Sequence, residues 1–355
     1  MSVDWCHRPV IMMKKRDITI YDIANELKVS PSTVSRALKN HYSIGAEMKE
    51  TVKRLAKLRG YRPNHIAASL RRNHTNTIGV LVTWVNRPFI SSVIAGVEEV
   101  ASENGFNVII SQSHDNYENE VANVKTMYDS RVAGLIVSVA MQTMKYDHFE
   151  LFTSSNIPIV FVDRVAEQFN SDRVVIDNFA SGFMATEHLI QQGCRRIAHF
   201  AGAQQRNVYR DRQRGYVEAL KKYDLPVDES LILHGEVLSA EEGYKMTEQL
   251  LSMASPPDGL FTANDTSGVS AIQCAKKRGV KVPHEFAVIG FNNDPVSLIV
   301  DPALSTVSHP AADMGKIAVR QILKQREHRD IPATEMIILK TEVIVRESSR
   351  RKKVK

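Results

Sequence analysis

This chain has little of what stabilises an extracellular domain or builds a membrane protein. Its 355 residues include 3 cysteines, at Cys6, Cys194 and Cys274, and no C-x-x-C pair. Lone cysteines of this kind fit a reducing compartment. The longest apolar runs have the length of a β-strand, well short of the ~18 residues that span a membrane, and the N-terminus has no signal-peptide pattern. We therefore expect a cytoplasmic protein with no membrane partner.

The motifs of common enzymes are also absent. The chain contains no G-x-G-x-x-G after its first predicted strand, no G-x-x-x-x-G-K-[ST] and no G-x-S-x-G. Its 12 histidines are scattered, and the two nearest in sequence are His65 and His74, so they form no helical pair of zinc ligands. We predict no catalytic residue, no metal site and no cofactor. An enzyme whose site assembles from distant residues is a less favoured alternative.

Basic residues are concentrated at the two ends of the chain. Residues 1–75 contain 15 Lys and Arg against 6 Asp and Glu, and residues 346–355 contain 6 against 1. The part between them carries 25 basic and 33 acidic residues. A basic head on an acidic body predicts that the head meets a polyanion. We favour nucleic acid over a lipid surface, because no amphipathic helix with a bulky apolar face accompanies these charges.

Two short capped helices can be placed on residues 19–38. Thr19 and Asp22 have the spacing of a capping box, and Ser30 followed by Pro31 is a strong helix start. The outer face of the second helix carries small polar residues and an arginine, namely Ser32, Thr33, Ser35 and Arg36. This pattern predicts a helix-turn-helix, whose second helix can enter a DNA major groove. An ordinary helical hairpin is the alternative.

After a third helix at about residues 46–59, the pattern changes to short apolar runs that alternate with helices. The predicted strands are 78–82, 108–111, 134–139, 157–163, 174–177, 197–202, 231–234, 259–263, 287–290, 336–340 and 342–345. Apolar strands separated by helices indicate parallel sheets covered on both faces. The number of strands fits two doubly wound lobes. The predicted fold class is therefore α/β, with a small all-α helix-turn-helix head.

Several motifs resemble those of the LacI/GalR transcription regulators and follow one another in the same order. Besides residues 19–38, they are residues 61–64, 66–70, 158–164, 212–216, 264–265, 288–293 and 302–307. The resemblance implies a DNA-binding head, a hinge helix and a two-lobed body of the periplasmic-binding-protein type. It implies a transcriptional repressor that binds near-palindromic double-stranded DNA as a homodimer. A small-molecule effector, a sugar or sugar derivative, would bind between the lobes and control that binding.

These expectations divide the chain into five segments. They are a disordered extension at 1–16, the head at 17–62, the hinge helix and linker at 63–76, the body at 77–345 and a basic tail at 346–355. The tail lacks the apolar heptads that would assemble a tetramer. A soluble sugar-binding protein is the main alternative to a regulator, and the helix-turn-helix pattern argues against it.

The candidate DNA-binding residues are Thr19, Tyr21, Ser30, Ser32, Thr33, Ser35, Arg36, Asn64, Ala67 and Leu70. We expect Ser32 and Arg36 to reach base edges, since arginine can bind guanine through two hydrogen bonds. A phosphate contact is the alternative for Arg36, and phosphates are the expected partners of Thr33 and Ser35. The resemblance implies that Leu70 wedges into the minor groove and bends the DNA, the alternative being packing within the hinge.

The candidate effector-binding residues are Thr83, Phe89, Asp163, Arg212, Asn264 and Asn292. Most of them follow predicted strands, where open α/β sheets bind ligands. The alternative for Asp163 and Asn264 is a cap on the segment that follows, and for Phe89 a place on a lobe surface. The family usually has Asp at the position of Asn292, and the change removes a charge-assisted acceptor for hydroxyls. A neutral sugar and an anion facing Arg212 both remain open.

Overall fold

The computed structural model describes residues 18–61, 75–327 and 334–351. The chain divides into two compact units, Met1–Asn73 and His74–Lys355. The predicted extension at 1–16 and nearly all of the predicted hinge at 63–76 lie outside the described residues.

Three helices make up the described part of the first unit, α1 (Ile20–Glu26), α2 (Pro31–Leu38) and α3 (Ala46–Leu58). The predicted capping box of α1 is present. The Thr19 hydroxyl accepts from the Asp22 amide at 3.3 Å, and the Asp22 carboxylate accepts from the Thr19 amide at 2.7 Å. A small apolar core joins the helices and consists of Ile23, Ala24, Val34, Ala37, Val52 and Ala56.

The second unit alternates strands and helices. In chain order its described elements are β1 (Thr77–Val82), α4 (Pro88–Glu103), β2 (Asn107–Gln112), α5 (Tyr117–Asp129), β3 (Gly134–Val137), α6 (Glu150–Thr153), β4 (Ile159–Val162), β5 (Asp172–Ile176), α7 (Asn178–Gln191), β6 (Ile197–Ala201), α8 (Asn207–Lys222), β7 (Ile232–His234), α9 (Ala240–Leu251), β8 (Gly259–Thr262), α10 (Asp265–Lys277), β9 (Ala287–Asn292), α11 (Val296–Ile299), β10 (Ser305–Ser308), α12 (Ala311–Glu327), β11 (Met336–Leu339) and β12 (Val343–Ile344). Short 3₁₀ turns lie at Asp147–Phe149 and Glu229–Leu231.

These strands form two six-stranded sheets, one in each lobe. The first has the order β11-β5-β4-β3-β1-β2 and the second the order β12-β10-β9-β8-β6-β7. Neighbouring strands run parallel, except that β12 pairs with β10 in the antiparallel direction. The prediction of two lobes with largely parallel sheets is confirmed. Strand β10 was not predicted, because its sequence, Ser-Thr-Val-Ser, is mostly polar.

Each sheet is covered on both faces. In the first lobe, Val80 packs with α4 and α12, whereas the next residue, Leu81, packs on the opposite face with α5. In the second lobe, Leu260 and Phe261 are divided between two faces in the same way. Successive strand residues point to opposite faces, so a parallel sheet with two covered faces needs the continuous apolar strands of this sequence.

The chain passes three times between the lobes. The passages lie between β5 and α7, between β10 and α12, and between β11 and β12. The last passage leads to residues 346–351, in which Ser348 and Ser349 are fully buried. The Ser348 hydroxyl donates to the Val288 carbonyl at 2.7 Å, and Arg351 Nε donates to the Pro283 carbonyl at 2.9 Å. The described part of the predicted basic tail therefore packs on the second lobe.

Candidate functional site

The helix-turn-helix of the first unit forms as its capping residues require. The Ser30 hydroxyl accepts from the Thr33 amide at 3.1 Å and caps α2, with Pro31 at the first helical position. The turn before it contains Lys28 with a positive φ of 53°. The same hydroxyl lies 2.7 Å from Ser32 Oγ and 2.9 Å from Thr33 Oγ1. A single cap thus orients two other candidate DNA-binding side chains.

The candidate residues of the head lie on its outer surface to different degrees. Tyr21, Ser30, Ser32 and Arg36 are exposed, whereas Thr19, Thr33 and Ser35 are half-buried. The inner face of α2 is occupied by Val34 and Ala37. The exposed face of α2 is therefore polar and basic, as a surface for DNA needs to be. Asn64, Ala67 and Leu70 lie outside the described residues.

A cavity opens between the two lobes, at the carboxyl ends of their strands. It contains about 780 Å³ of space outside the protein atoms, part of which is open to solvent. It is lined by all six residues that we predicted for an effector, namely Thr83, Phe89, Asp163, Arg212, Asn264 and Asn292. Residues that are far apart in sequence therefore meet at one place, as expected for the strand ends of open α/β sheets.

Arg212 lies on α8 and is buried in the cavity wall. Its Nε donates to Asn178 Oδ1 at 2.9 Å and its Nη1 to the Ala263 carbonyl at 2.8 Å, while the guanidinium carbon lies 3.6 Å from the centre of the Phe291 ring. Its Nη2 has no hydrogen-bond partner among the described residues. Burial lowers the pKa of Arg212 to about 10, which leaves the side chain charged at neutral pH. Arg212 therefore offers the cavity a positive charge and a donor group.

Asp163 follows β4 and faces Arg212. Its φ of 60° places the backbone in the left-handed region, which Asp tolerates better than most residues. Its carboxylate accepts no hydrogen bond from the described residues, and its Oδ1 lies 3.9 Å from His309 Nε2. Burial raises the pKa of Asp163, and the charges of Arg212 and Arg164 oppose the shift. A cap on the following segment would need a hydrogen bond to this carboxylate, and the described residues provide none. The contacts of Asp163 therefore do not support that alternative.

A second charged pair in the cavity is satisfied by the protein. Arg164 Nη1 donates to Asp115 Oδ1 at 2.6 Å, and Arg164 Nη2 donates to the Tyr209 hydroxyl at 3.2 Å. The Met141 amide donates to the same Asp115 oxygen at 2.9 Å, and Trp84 Nε1 donates to the other at 3.2 Å. Asp115 is therefore held by three donors and leaves little hydrogen-bonding capacity for a ligand.

Asn264 lines the cavity and also caps α10. Its Oδ1 accepts from the Ser267 amide at 2.9 Å and from the Ser267 hydroxyl at 2.8 Å, and its Nδ2 donates to the Leu238 carbonyl at 3.0 Å. The capping role that we gave as an alternative for Asn264 is thus present. The second hydrogen on Nδ2 of Asn264 can still donate to a ligand.

A set of hydrogen bonds joins the two lobes next to residues that line the cavity. Asn207, at the start of α8, accepts from the Val165 amide at 3.2 Å and donates to the Asp163 carbonyl at 3.1 Å. Arg206 is buried and donates to the Thr143 carbonyl. These contacts join the segments after β3 and β4 in the first lobe to the start of α8 in the second lobe, the helix that carries Arg212.

Several polar residues of the cavity were not predicted, namely Asp115, Arg164, Asp294 and His309. Asp115 follows β2 closely, and the strand-end argument that selected Asp163 would have selected it too. His309 follows β10 directly, and it was missed because that strand was missed. Arg164 and Asp294 each stand beside a predicted residue or strand end, but the sequence does not indicate which neighbour faces the cavity.

Neither a metal site nor a membrane helix is found in the described residues. No three His, Cys, Asp or Glu side chains there lie close enough to hold a metal ion. Within the same ranges, no helix combines the length and the apolar character needed to cross a bilayer.

Comparison with protein-family models gives two matches. Residues 19–64 match a model described as "Bacterial regulatory proteins, lacI family". Residues 186–349 match a model described as "Periplasmic binding protein-like domain". The first match contains the capped helix-turn-helix, and the second contains Arg212, Asn264 and Asn292.

Curated relatives and solved structures agree with these matches. The ribose operon repressor of Haemophilus influenzae is 30% identical over 330 residues, 93% of this chain and 98% of that protein. The transcriptional repressor CytR of Escherichia coli is 30% identical over 94% of this chain and 96% of its own length. The structure of a CelR–cellobiose complex is 27% identical, with a TM-score of 0.70 over 93% of this chain and 99% of that one. The lac repressor dimer bound to operator has a TM-score of 0.84 over 94% and 99%, at 22% identity.

Proposed function

This chain belongs to the LacI family of DNA-binding transcriptional repressors, and we propose that a neutral sugar bound in the cavity controls its affinity for an operator. The observation that carries this proposal is the balance of positive and negative charge in the cavity. Effector and operator are then linked through one equilibrium between lobe arrangements, so each ligand changes the affinity for the other by the same factor.

The cavity contains as many arginines as carboxylates. The arginines are Arg87, Arg164 and Arg212, and the carboxylates are Asp115, Asp163 and Asp294. Arg164 is paired with Asp115, the charge of Arg212 acts on Asp163, and the charge of Arg87 acts on Asp294. An anionic ligand would gain from Arg212 but would also lie close to two carboxylates. A neutral ligand with many hydroxyls meets donors and acceptors without adding an uncompensated charge.

Aromatic side chains support a sugar over a smaller polar ligand. Phe89 lines the cavity from the first lobe, and Trp84 lies nearby with its indole nitrogen fixed on Asp115. A ring face against the C–H face of a sugar contributes apolar contact beside the polar contacts. Two relatives carry names that refer to sugars, a ribose operon repressor and a regulator in complex with cellobiose. These names support the sugar class for this chain without selecting a particular sugar.

For the DNA side, we propose that α2 enters the major groove of a near-palindromic operator as part of a homodimer. Ser32 and Arg36 would read base edges, and Thr33 and Ser35 would contact phosphates. The exposure of Ser32 and Arg36 and the polar face of α2 support these roles. For the dimer, the exposed side chains of Leu298 and Ile299 on α11, 64% and 81% accessible, offer apolar surface.

The effector proposal can be tested by thermal shift, because a bound ligand stabilises the native protein. The panel consists of neutral pentoses and hexoses, the matching sugar acids, and nucleosides. We expect a neutral sugar to raise the melting temperature more than its acid does. The same sugar should change the affinity for operator DNA selected from a random library, measured by fluorescence anisotropy.

Two results would contradict the proposal. Stabilisation by a sugar acid alone would show that Arg212 dominates the cavity and that the charge balance is not decisive. Stabilisation by a sugar with no change in operator affinity, at saturating sugar, would separate the cavity from the regulation of DNA binding.

A further inference from the structure

His309 is a buried histidine, and one of its ring nitrogens has no hydrogen-bond partner in the part of the chain that the structure describes. It follows β10, and its side chain is 1% exposed. Its ring stacks on Phe89 with 4.1 Å between the centres and meets the edge of Phe291 at 5.9 Å. Nε2 is buried and has no hydrogen-bond partner among the described residues, and it lies 3.9 Å from Asp163 Oδ1. A buried nitrogen of this kind is costly unless a ligand satisfies it.

A neighbouring side chain determines which nitrogen carries the proton. The side-chain oxygen of Asn292, Oδ1, lies 3.3 Å from His309 Nδ1. An amide oxygen can only accept, so Nδ1 must carry the hydrogen. The contact with Asn292 thus leaves Nε2 as a bare acceptor.

The surroundings keep the ring neutral. Burial and the charge of Arg212 hold the pKa of His309 well below its ordinary value. The groups that face the ring are Phe89, Phe291, Asp163, Arg212 and Asn292. Among them Asp163 carries the opposite charge, but its oxygen is too distant for a hydrogen bond. A neutral ring with Nδ1 protonated is therefore the form present at neutral pH.

We propose that the contact with Asn292 makes His309 Nε2 a hydrogen-bond acceptor that, together with Asp163, selects a ligand with two adjacent hydroxyl groups. Two acceptors 3.9 Å apart cannot satisfy each other. One hydroxyl has one hydrogen and serves one of them, so two neighbouring hydroxyls serve both. The oxygens of such a diol can then accept from the unused Nη2 of Arg212. A ligand ammonium would also supply donors, but Arg212 repels it.

The inference rests on the proposed function, since it assumes that the cavity binds a polyol. The opposite arrangement, in which Nε2 carries the hydrogen and points it at Asp163, would make His309 a structural link between the lobes. The two arrangements differ in a property that can be measured without a ligand.

The first experiment determines the tautomer of His309 in the ligand-free protein. The full-length chain is labelled with ¹⁵N-histidine, and the signals of His309 are assigned by comparison with His309→Gln. We expect the Nδ1–H form at pH 7.5, and we expect Asn292→Leu to shift the ring toward the other tautomer. Finding Nε2–H in the wild-type protein would overturn the proposal whatever the ligand is.

The second experiment measures binding of matched sugars by calorimetry. The probes are D-ribose, D-glucose and D-galactose, each with its monodeoxy analogues at every ring position. For a parent sugar that binds, removal of either of two adjacent hydroxyls should weaken binding about 10- to 100-fold, which is the cost of an unpaired buried acceptor. His309→Phe keeps the ring stack on Phe89 but removes the acceptor. In this variant, removal of one of the two adjacent hydroxyls should no longer weaken binding. His309→Gln retains an acceptor, so removal of that hydroxyl should weaken binding again.

The outcomes separate the inference from the proposed function. If a parent sugar binds and its deoxy analogues bind equally well, the diol requirement is wrong, while the sugar-binding function stands. If His309→Phe leaves both penalties in place, another residue supplies the acceptor and the assignment to His309 is wrong. If none of the sugars binds while sugar acids or nucleobases do, the proposed function and this inference both fail.

Discussion

The head and the cavity treat charge in opposite ways. In the described head, Lys28, Arg36, Lys39, Arg54 and Lys57 are exposed and make no ion pair with a described residue. In the cavity, every arginine is buried or half-buried and lies within the field of a carboxylate. Exposed uncompensated cations suit a partner that brings many negative charges, and their effect depends on salt. Compensated charges suit a neutral polar ligand.

The difference also predicts which property a mutation changes in each region, DNA binding in the head or ligand binding and stability in the cavity. A substitution in the head should change DNA binding and leave the body intact, because the two units have separate cores. A substitution in the cavity removes one member of a balanced set and leaves its partner buried and unpaired. Such a loss affects both ligand binding and stability. Each of the following predictions tests one side of this contrast.

The largest effect is expected for Arg212→Ala. The guanidinium holds Asn178 and the Ala263 carbonyl and also balances Asp163. Its removal should weaken binding of the sugar by about 2–4 kcal/mol. It should also lower the melting temperature of the ligand-free protein. Calorimetry, thermal melts and anisotropy on the same preparation measure both effects together with operator affinity.

Arg214→Ala is the matched control for Arg212→Ala. Arg214 lies on the same helix, is 64% exposed and pairs with Asp211. Its loss should therefore leave both the sugar affinity and the melting temperature close to wild type. Operator affinity without sugar should be close to wild type in both variants. An Arg212→Ala protein that is destabilised but still responds to wild-type sugar concentrations would make Arg212 a structural residue only.

A second large effect concerns the pH dependence of stability at Asp265. This carboxyl is fully buried at the start of α10, where it accepts from the Thr306 hydroxyl at 2.7 Å and from the Asp294 amide at 2.7 Å. Burial raises its pKa to about 8, although the hydrogen bonds from the Thr306 hydroxyl and the Asp294 amide favour the ionised form and oppose the shift. The unfolded chain has a pKa near 3.9. Between these values, folding takes up a proton, so this carboxyl makes the protein less stable as pH rises.

Asp265→Asn cannot titrate and should remove that slope. The stability difference between wild type and variant should move in favour of the variant from pH 5 to pH 7, by at most about 1.4 kcal/mol per pH unit. Urea unfolding at several pH values gives the difference, and other titrating groups, such as the buried His188 and His199, cancel because both proteins contain them. A difference that stays constant with pH would mean that Asp265 is ionised in the native protein.

Much of this contrast could be predicted from the sequence, because it depends on local signals. The helix caps at Thr19 and Ser30 depend on a few consecutive residues. The apolar strands can be recognised from their composition. Asp163 and Asn292 were found because each stands where a strand ends. His309 was missed because β10 is polar and buried, and burial of a polar strand is decided by its neighbours β9 and β12. Pairings such as Arg164 with Asp115 join segments that only the folded chain brings together.

A smaller effect, of about 1–3 kcal/mol, is expected for Arg36→Ala in the head. The side chain is exposed on α2 and has no ion pair among the described residues. If it reads a guanine, its loss should relax the sequence preference at one base pair of each half-site. Competition binding against operators substituted one base pair at a time measures that preference.

Lys39→Ala serves as the comparison for Arg36→Ala, because Lys39 is exposed just after α2. A lysine that contacts phosphate should weaken binding to all sequences alike and reduce the salt dependence. If Arg36→Ala behaves like Lys39→Ala, with a uniform loss, then Arg36 contacts a phosphate and the base contact is wrong.

The smallest effect is expected at Ser30, where capping and DNA contact can be separated by charge. Ser30→Ala loses the hydrogen bond to the Thr33 amide and should destabilise α2 by about 1 kcal/mol. Ser30→Asp keeps a capping oxygen and places a negative charge at the helix N-terminus, which favours the helix but repels phosphate. Hydrogen exchange of the α2 amides in the full-length protein should therefore be faster in the alanine variant and unchanged in the aspartate variant. Operator affinity should fall in both, and more in the aspartate variant at low salt. If Ser30→Asp binds DNA as well as wild type, Ser30 lies away from the phosphates, and its role is limited to the cap that orients Ser32 and Thr33.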